Sequence, residues 1–320
     1  MPRFSVSDHC DGARFFNVYA PAGRSLTDVW RWMRTRERIA WPASVPPPAR
    51  HPPPPAIVEH GRVAVTFIGH STFLVRTASM TIVTDPVFTT HAGPFGRMGP
   101  RRVRRPAIAL RDLPAVNLVL LSHNHYDHLQ PSSLRALSAA PVVTALGVGR
   151  HVPPTDRRLA YELDWWQDAR VGAATVTAVP AQHFSARTPW DRNATLWCGF
   201  VVEVDGVTIY FAGDSGYSPQ FVEIGDRFSA IDVALIPIGA YEPRWFMEPM
   251  HMNPDEAVRA HIDVRARVSI GMHFGTFQLT DEAIDEPLRA LARARVAHDV
   301  ADEAFRTIDF GETVNLAGRS

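Results

Sequence analysis

The amino-acid sequence predicts an α/β fold in which two β-sheets pack face to face and helices cover their outer surfaces. Three observations support this. Short apolar segments typical of strands recur from residue 62 onward, amphipathic segments lie between the later ones, and several strand-like segments end in histidine or aspartate. The chain has 320 residues, which suits one large domain or two small ones and is enough for a sizeable core.

The first 60 residues do not resemble a compact domain, because they end in proline runs at 46–48 and 52–55 that favour extended polyproline geometry. A helix is expected over 26–38, and its tryptophans are expected to pack on the main domain, with contact to a lipid interface as the alternative. We therefore divide the chain into an N-terminal extension, 1–60, and a main domain, 61–320.

The main domain begins with an antiparallel meander, because turn-like residues separate three short strands at 63–68, 72–75 and 81–84. The later strands are expected at 117–121, 175–179, 196–204, 207–212, 233–237 and 268–271. Helices are expected at 131–139, 254–262 and 284–294, with weaker candidates at 147–151 and 218–228.

The strand at 117–121 leads directly into a loop that is rich in metal-ligand types. Three imidazoles and one carboxylate within six residues cannot all face one point from a regular strand or helix, so a tight loop must gather them. Solvent-exposed histidines in a polar loop are the alternative. The pattern His123-x-His125-x-Asp127-His128 after a buried strand favours metal binding.

Three further candidate ligands follow other strands, namely His183, Asp214 and His273. Each alone would be an ordinary histidine or a turn residue. Strand ends that share one edge of the sandwich would bring them to the loop. The set then contains five histidines and two aspartates, which suits two metals that share a bridging carboxylate and is too many for one ion.

Composition limits the partners and the compartment. Lys+Arg and Asp+Glu are both 33, so bulk electrostatics would not hold a nucleic acid. Cys10 and Cys198 are too few and too far apart for a disulfide framework, which indicates a reducing compartment. The N-terminus shows no secretory signal, and no apolar run approaches the ~20 residues of a membrane span. We expect a cytoplasmic protein whose only membrane contact would be peripheral.

The ligand order resembles that of the metallo-β-lactamase superfamily, and six further stretches resemble its N-acyl phosphatidylethanolamine-hydrolysing phospholipase D branch. These stretches are 98–102, 122–129, 162–166, 211–217, 236–247 and 273–277. The resemblance covers roughly residues 60–310. It implies a four-layer αββα sandwich, the metallo-β-lactamase fold.

The resemblance also implies two metal positions. Their ligands would be His123, His125 and His183 at one position, Asp127, His128 and His273 at the other, and Asp214 as the bridge. The ions are expected to be zinc, while iron and manganese are compatible with mixed nitrogen and oxygen ligands. Asp127 and Asp214 would be catalytic by holding the ions that generate a bridging hydroxide. Attack of that hydroxide on phosphorus would release phosphatidic acid and the N-acylethanolamine.

Four residues are secondary candidates. Asp85 stands where the superfamily keeps a carboxylate that orients a ligand histidine, and a turn-capping aspartate is the alternative. Tyr126 and His251 resemble family positions near the bound phospholipid. For His70 a buried structural role is favoured over an approach to the site.

Two clusters bear on a lipid substrate. The first cluster is apolar and consists of Trp245, Phe246, Met247 and Met250. These side chains could line a groove for acyl chains, and ordinary core packing is the alternative. The second cluster is basic and consists of Arg97, Arg101, Arg102, Arg104 and Arg105. It could bind anionic headgroups, and a solvated loop is the alternative.

The predicted function is that of a dinuclear phosphodiesterase acting on N-acyl phosphatidylethanolamine or a related phospholipid. A lactonase or other ester hydrolase is the alternative, since the same hydroxide can attack a carbonyl carbon. A nuclease is weaker because the chain lacks a basic, aromatic-lined arm, and a metal-stabilised sensor is weaker because all seven ligand types are present. The resemblance alone suggests a homodimer.

Overall fold

The computed structural model describes residues 3–47, 51–153, 160–228 and 230–318. Pro48, Ala49 and Arg50, which are part of the predicted linker, lie outside these ranges. The helices of the described residues are α1 Leu26–Thr35, α2 Pro131–Ala136, α3 Gln220–Arg227, α4 Arg244–Met247, α5 Pro254–Asp263 and α6 Glu286–Ala297.

One sheet contains the first half of the main domain. Its strands are β1 Arg62–Gly69, β2 Thr72–Arg76, β3 Thr81–Thr84, β4 Leu118–Leu121, β5 Val142–Ala145, β6 Ala160–Leu163 and β14 Thr313–Ala317, in the order β14-β1-β2-β3-β4-β5-β6. The first three strands form the predicted antiparallel meander. From β3 onward the pairing is parallel, so β4 and β5 point the same way.

The other sheet contains the second half. Its strands are β7 Asp168–Val171, β8 Ala174–Val179, β9 Gly199–Val204, β10 Val207–Phe211, β11 Val233–Pro237, β12 Val268–Met272 and β13 Phe305–Arg306, in the order β13-β12-β11-β10-β9-β8-β7. Pairing is antiparallel from β7 to β10 and parallel from β10 to β13.

The two mixed sheets pack against each other, and this confirms the predicted sandwich. Side chains of both sheets belong to one continuous buried cluster, which includes Val65 and Leu120 from one sheet and Phe200 and Ile236 from the other. Branched and aromatic side chains suit such buried strands. The sandwich therefore holds the ends of β4, β8, β10 and β12 at one edge.

The sequence prediction missed several elements. The strands β5, β6, β7, β13 and β14 and the short helix α4 were not predicted. The expected strand at 196–204 begins only at Gly199, and the weak helix candidate at 147–151 is a 3₁₀ turn over Val148–His151. The other predicted strands and helices are confirmed within a few residues.

Part of the N-terminal extension packs on the main domain. Trp32 of α1 donates from Nε1 to Asp281 Oδ2 at 2.7 Å, and its ring stacks on Phe246 with centroids 4.8 Å apart. Trp30, by contrast, is 61% exposed. The helix thus docks through one face, as expected for Trp32 but not for Trp30. Whether 1–60 is a separate unit stays a prediction.

Among the described residues, no helix is both long enough and apolar enough to cross a membrane.

Candidate metal centre

The loop after β4 is a compact turn. The backbone N–H groups of His128 and Leu129 both donate to the carbonyl of His125, at 3.2 and 2.8 Å. Arg187 closes the loop from outside, because its Nη1 donates to the carbonyls of Asn124 and Leu129 at 2.6 and 3.0 Å. The loop conformation brings His123, His125, Asp127 and His128 to one edge of the sandwich. Nothing in the local sequence pattern signals the role of Arg187.

Three imidazoles form the first group of candidate ligands. His123 Nε2 lies 2.9 Å from His125 Nδ1, and His183 Nε2 lies 3.2 Å from the same atom. Ring nitrogens bound to one zinc at 2.0–2.1 Å with tetrahedral angles would lie about 3.3 Å apart. The three residues can therefore hold one ion, and His183 reaches the loop from the end of β8.

The second group combines one carboxylate with two imidazoles. His128 Nε2 is 3.6 Å and His273 Nε2 is 3.4 Å from Asp127 Oδ2. His273 follows β12 with φ of 63°, and this left-handed conformation turns its ring back to the loop. His70 Nε2 lies 3.1 Å from the same carboxylate oxygen and completes a four-residue cluster.

Asp214 lies between the two groups. Its Oδ2 is 3.1 Å from His128 Nε2 and from His273 Nε2, and 3.9 and 3.8 Å from His123 Nε2 and His183 Nε2. The preceding Gly213 has φ of 61°, and a Cβ atom there would lie 2.9 Å from the Cβ of Ser122. Glycine thus permits Asp214 to approach the loop. All seven predicted ligands converge.

Asp85 fixes two of the histidines. It accepts hydrogen bonds from His128 Nδ1 at 2.6 Å and from Ser122 Oγ at 2.6 Å. Since the Ser122 hydroxyl donates its only hydrogen to Asp85, it must accept from His123 Nδ1, which is 2.9 Å away. Both rings therefore engage these partners through Nδ1 and direct Nε2 towards the centre. These contacts agree with the orienting role of Asp85, which stays a prediction, and sequence reasoning missed Ser122.

His183 is oriented by backbone. Its Nδ1 lies 2.9 Å from the carbonyl of Met250, which can only accept, so Nδ1 carries the proton and Nε2 is free. The neighbouring His251 ring lies 5.0 Å from the His183 ring and 5.5 Å from the His273 ring, centroid to centroid. His251 therefore borders both groups, as the prediction for a substrate contact requires.

Tyr126 is placed differently. The Arg187 guanidinium lies 3.9 Å above its ring, and its hydroxyl donates to the carbonyl of Arg187 at 3.1 Å. These contacts hold both the ring and the hydroxyl of Tyr126 against Arg187. They give it a structural role there, and its predicted substrate contact stays a prediction.

The electrostatics differ between the groups. Burial lowers the pKa of His125 to about 3 and that of His183 to about 4, so both rings are neutral and can offer a lone pair at neutral pH. Burial would also lower the pKa of His273, but Asp214 and Asp127 outweigh it and raise that pKa to about 9. The carboxylates therefore favour positive charge beside His273.

The buried atoms of the centre fit metal ions. His128 Nε2, His273 Nε2 and Asp214 Oδ1 are buried and have no partner with hydrogen-bond geometry in the described part of the chain. Unpaired buried polar atoms are unfavourable, and clustered ones facing each other are typical of a cation site. Nitrogen and carboxylate donors are the ligands that zinc, iron and manganese accept.

A comparison with protein families decides the classification. The family model described as "Beta-lactamase superfamily domain" matches residues 80–274, which is more than half of the chain and includes all seven converging residues. The chain belongs to the beta-lactamase superfamily. The residues that the family model includes contain His/Asp groups that are able to bind a metal ion.

Curated relatives place the chain more narrowly. It is 38% identical over 272 residues to N-acyl-phosphatidylethanolamine-hydrolyzing phospholipase D 1 of Caenorhabditis elegans, covering 79% of this chain and 76% of that protein. It is 42% identical over 248 residues to an uncharacterized protein of Mycobacterium tuberculosis, covering 74% of this chain but only 65% of that protein. The predicted resemblance to the phospholipase D branch is confirmed.

Solved structures support the fold. A metallo hydrolase of the archaeon Ignicoccus hospitalis aligns with a TM-score of 0.60 over 81% of this chain and 100% of that chain, at 23% sequence identity. At this identity the likeness concerns the fold alone, and it confirms the predicted metallo-β-lactamase sandwich.

The basic cluster is not one surface. Arg102 donates to the carbonyls of Val87 and Thr89 at 2.6 and 2.9 Å, and its guanidinium lies 4.6 Å above the Phe277 ring. Arg104 packs on Phe310 instead. The guanidinium groups of Arg102 and Arg104 are thus engaged in contacts within the protein. At most Arg97, Arg101 and Arg105 could bind a headgroup.

Proposed function

We propose that the protein is a dinuclear metal-dependent phosphodiesterase of phospholipase D type, with N-acyl phosphatidylethanolamine or a related phospholipid as its substrate. The observation that carries the proposal is the position of Asp214 Oδ2, within 3.1 to 3.9 Å of a ring nitrogen from His123, His128, His183 and His273. One carboxylate between two ligand groups is the arrangement that a pair of ions needs.

The substrate class is supported by the name of the Caenorhabditis elegans relative and by the apolar surroundings of the first group. Phe184 packs against the rings of His125 and His183, with centroids 4.5 and 5.0 Å away. Phe184 also joins a buried apolar cluster that contains Phe246, Met247 and Met250. Adaptable methionine and aromatic side chains beside a hydrolytic centre suit acyl chains.

The residues of the candidate metal centre have different roles in the proposed reaction. Ions held by the two groups would lower the pKa of water to near 7 and withdraw charge from a phosphoryl oxygen. Asp85 and the Met250 carbonyl keep the ligand rings in the tautomer that presents Nε2. His251 borders the centre with a buried Nδ1 that has no partner among the described residues, so it can contact a phosphodiester oxygen.

The reaction can be tested with isotopic water. Metal-loaded protein would be given N-acyl phosphatidylethanolamine in detergent micelles with ¹⁸O-labelled water. Attack at phosphorus forms the new P–O bond and expels the N-acylethanolamine, so we expect one ¹⁸O in the phosphate of phosphatidic acid and none in the amide product.

Two results would contradict the proposal. Label in a released carboxylate would show attack at a carbonyl carbon and favour the alternative ester hydrolase. Turnover of a simple lactone with no turnover of the lipid would do the same. An Asp214→Asn variant is the matched control, because it keeps the shape of the side chain and removes the charge between the ion positions.

Peripheral contact with a membrane is part of the proposal, and α1 supports it. Val29 and Trp32 pack on the main domain, whereas Leu26, Trp30 and Met33 are 88, 61 and 67% exposed. Residues at these spacings share one helix face. Arg34 lies 4.6 Å above the Trp30 ring, so a cation accompanies the apolar stripe, as anionic lipid surfaces favour.

Vesicle co-sedimentation tests this contact. We expect a Trp30→Ser/Met33→Ser variant to lose most binding to vesicles of phosphatidylcholine and phosphatidylglycerol. Val296→Ser on α6 is a matched control, because Val296 is 84% exposed but lies on another helix. Equal binding by both variants and the parent would refute the contact.

A further inference from the structure

His70 touches the second ligand group through its side chain. The residue is 1% exposed, its Nε2 lies 3.1 Å from Asp127 Oδ2, and its ring centroid is 4.1 Å from that of His273. It is none of the seven ligands that the sequence predicts. Its position beside two of them therefore calls for a physical role.

His70 also holds a ligand through its backbone. The carbonyl oxygen of His70 accepts a hydrogen bond from the His273 N–H at 2.9 Å. The turn that makes this contact is constrained, because His70 has φ of 60° and Gly69 has φ of 141°. A Cβ atom at residue 69 would lie 2.8 Å from a ring carbon of Phe310. One turn thus positions both Asp127 and His273.

The His70 ring is held in its orientation by packing. The edge of the ring meets Phe277, with centroids 5.2 Å apart and planes at 85°. Phe277 is itself clamped by the Arg102 guanidinium. The ring therefore has little room to turn away from Asp127.

The direction of the hydrogen bond follows from what each group can donate. A carboxylate that serves as a metal ligand is ionised and only accepts hydrogen bonds. His70 Nε2 lies 3.1 Å from Asp127 Oδ2, so the N–H of His70 must be on Nε2.

We infer that His70 is a positioning residue of the second ion position: it donates Nε2–H to Asp127 and so fixes this carboxylate against His128 and His273. The inference rests on the proposed function, because it requires an ion at that position. Partners of this kind outside a ligand set typically change metal affinity by about 10- to 100-fold when they are removed.

Metal titration of the full-length, chelator-treated protein tests the inference. Cobalt binding would be followed by absorption and by elemental analysis for the parent, His70→Ala and His70→Gln. We expect two equivalents in the parent. In His70→Ala one equivalent should bind about 10- to 100-fold more weakly, while the other keeps its affinity and reports an intact fold.

The glutamine variant isolates the donor. Both substitutions place a side chain at the same positive φ, so their backbone strain is matched, but only glutamine can present an N–H near the place of Nε2. We expect His70→Gln to recover most of the lost affinity. His261→Ala is the control, because it also removes a buried histidine, one that shares a hydrogen bond with Ser269. This variant should keep both affinities for cobalt.

The outcomes separate this inference from the proposed function. A parent that binds fewer than two equivalents contradicts the proposed centre itself. Two equivalents with unchanged affinity in His70→Ala overturn the role of His70 alone. A changed cobalt absorption spectrum at full occupancy of His70→Ala would show that His70 is a direct ligand, and this also overturns the positioning role.

Discussion

At the scale of single residues, the centre depends on which ring nitrogen each histidine presents. His123 and His183 use Nε2 because Ser122 and the Met250 carbonyl engage Nδ1, whereas His125 presents Nδ1. Hydrogen bonds outside the ligand set select these nitrogens. Residues that would touch no ion thus determine which ring nitrogen each histidine presents to the centre.

Asp85 gives the first prediction. In Asp85→Asn one acceptor oxygen remains, but the negative charge that fixes His128 and, through Ser122, His123 is lost. We expect the affinity for metal to fall about 10- to 100-fold with little change in secondary structure. Isothermal titration of chelator-treated protein with zinc measures this. Affinity equal to that of the parent would show that Asp85 only caps a turn.

Sequence analysis could place the ligand types but not their neighbours. His123, His125, Asp127 and His128 were visible because an apolar strand ends where they begin. Arg187 and Asn124 are 63 positions apart in the sequence, and their hydrogen bond depends on the loop conformation. A local sequence pattern gives no signal for such a contact. His70 was predicted to be buried, which is correct, but its bond to Asp127 was not favoured.

At the scale of elements, α1 is held to the main domain by one buried carboxylate. Asp281 accepts from Trp32 Nε1 at 2.7 Å and from Arg36 Nε and Nη2 at 2.9 and 2.7 Å. The Asp281 side chain is 8% exposed. Charge-assisted bonds to a buried acceptor are stronger than those on an open surface. Docking of this helix should therefore depend on residue 281.

Replacing that carboxylate tests the docking. In Asp281→Ala the Trp32 N–H and the Arg36 guanidinium lose their partner, which is unfavourable by about 3 kcal/mol for a broken buried pair. We expect faster limited proteolysis at 36–47 and an unchanged main domain. Asp285→Ala is the control, because it removes a solvent-exposed ion pair with Arg289. Equal cleavage rates in both variants would contradict this account.

The helix α5 carries a buried histidine that makes stability depend on pH. Burial lowers the pKa of His261 from 6.5 to about 4. Between these values the unfolded chain binds a proton that the folded protein excludes, so the free energy of unfolding falls on acidification. The loss of unfolding free energy begins below about pH 6.5 and reaches about 3 kcal/mol at pH 4.

Urea unfolding between pH 4 and 7 measures this effect. We expect His261→Gln to show a shallower loss of unfolding free energy than the parent. Ser269→Ala, which removes the hydrogen-bond partner of His261 but keeps the titrating ring, should retain the slope of the parent. Identical slopes for His261→Gln and the parent would contradict the assignment.

Element prediction succeeded for most strands that are buried on both faces, and it failed at the sheet edges and at β5, a buried inner strand of four residues. β4 and β11 are buried throughout and appear as continuous apolar runs. β6 and β7 are partly exposed strands at the ends of their sheets. Each has only four residues, and these include charged ones, so the sequence shows no apolar pattern there. Their pairing with the more deeply buried strands β5 and β8, rather than their own composition, makes them strands.

At the scale of the whole molecule, the fold gathers ligands from four strand ends. The loop after β4 meets residues that follow β8, β10 and β12, so both sheets must be assembled before the centre exists. A ligand that binds only such an assembled site stabilises the whole fold. Homodimerisation stays a prediction, which sedimentation equilibrium would check.

Removal of metal should therefore lower global stability. Free metal at 100 times its dissociation constant adds about 2.7 kcal/mol per ion to the free energy of unfolding. We expect chelator-treated protein to melt at a lower temperature and reconstituted protein to regain the original value. A melting temperature that is insensitive to chelator and to added zinc would argue against ions in the centre.

Anomalous diffraction from crystals grown with zinc tests the central claim most directly. The account predicts two peaks, one among His123, His125 and His183 and the other among Asp127, His128 and His273, with Asp214 between them. A single peak, or peaks that lie away from these side chains, would contradict it.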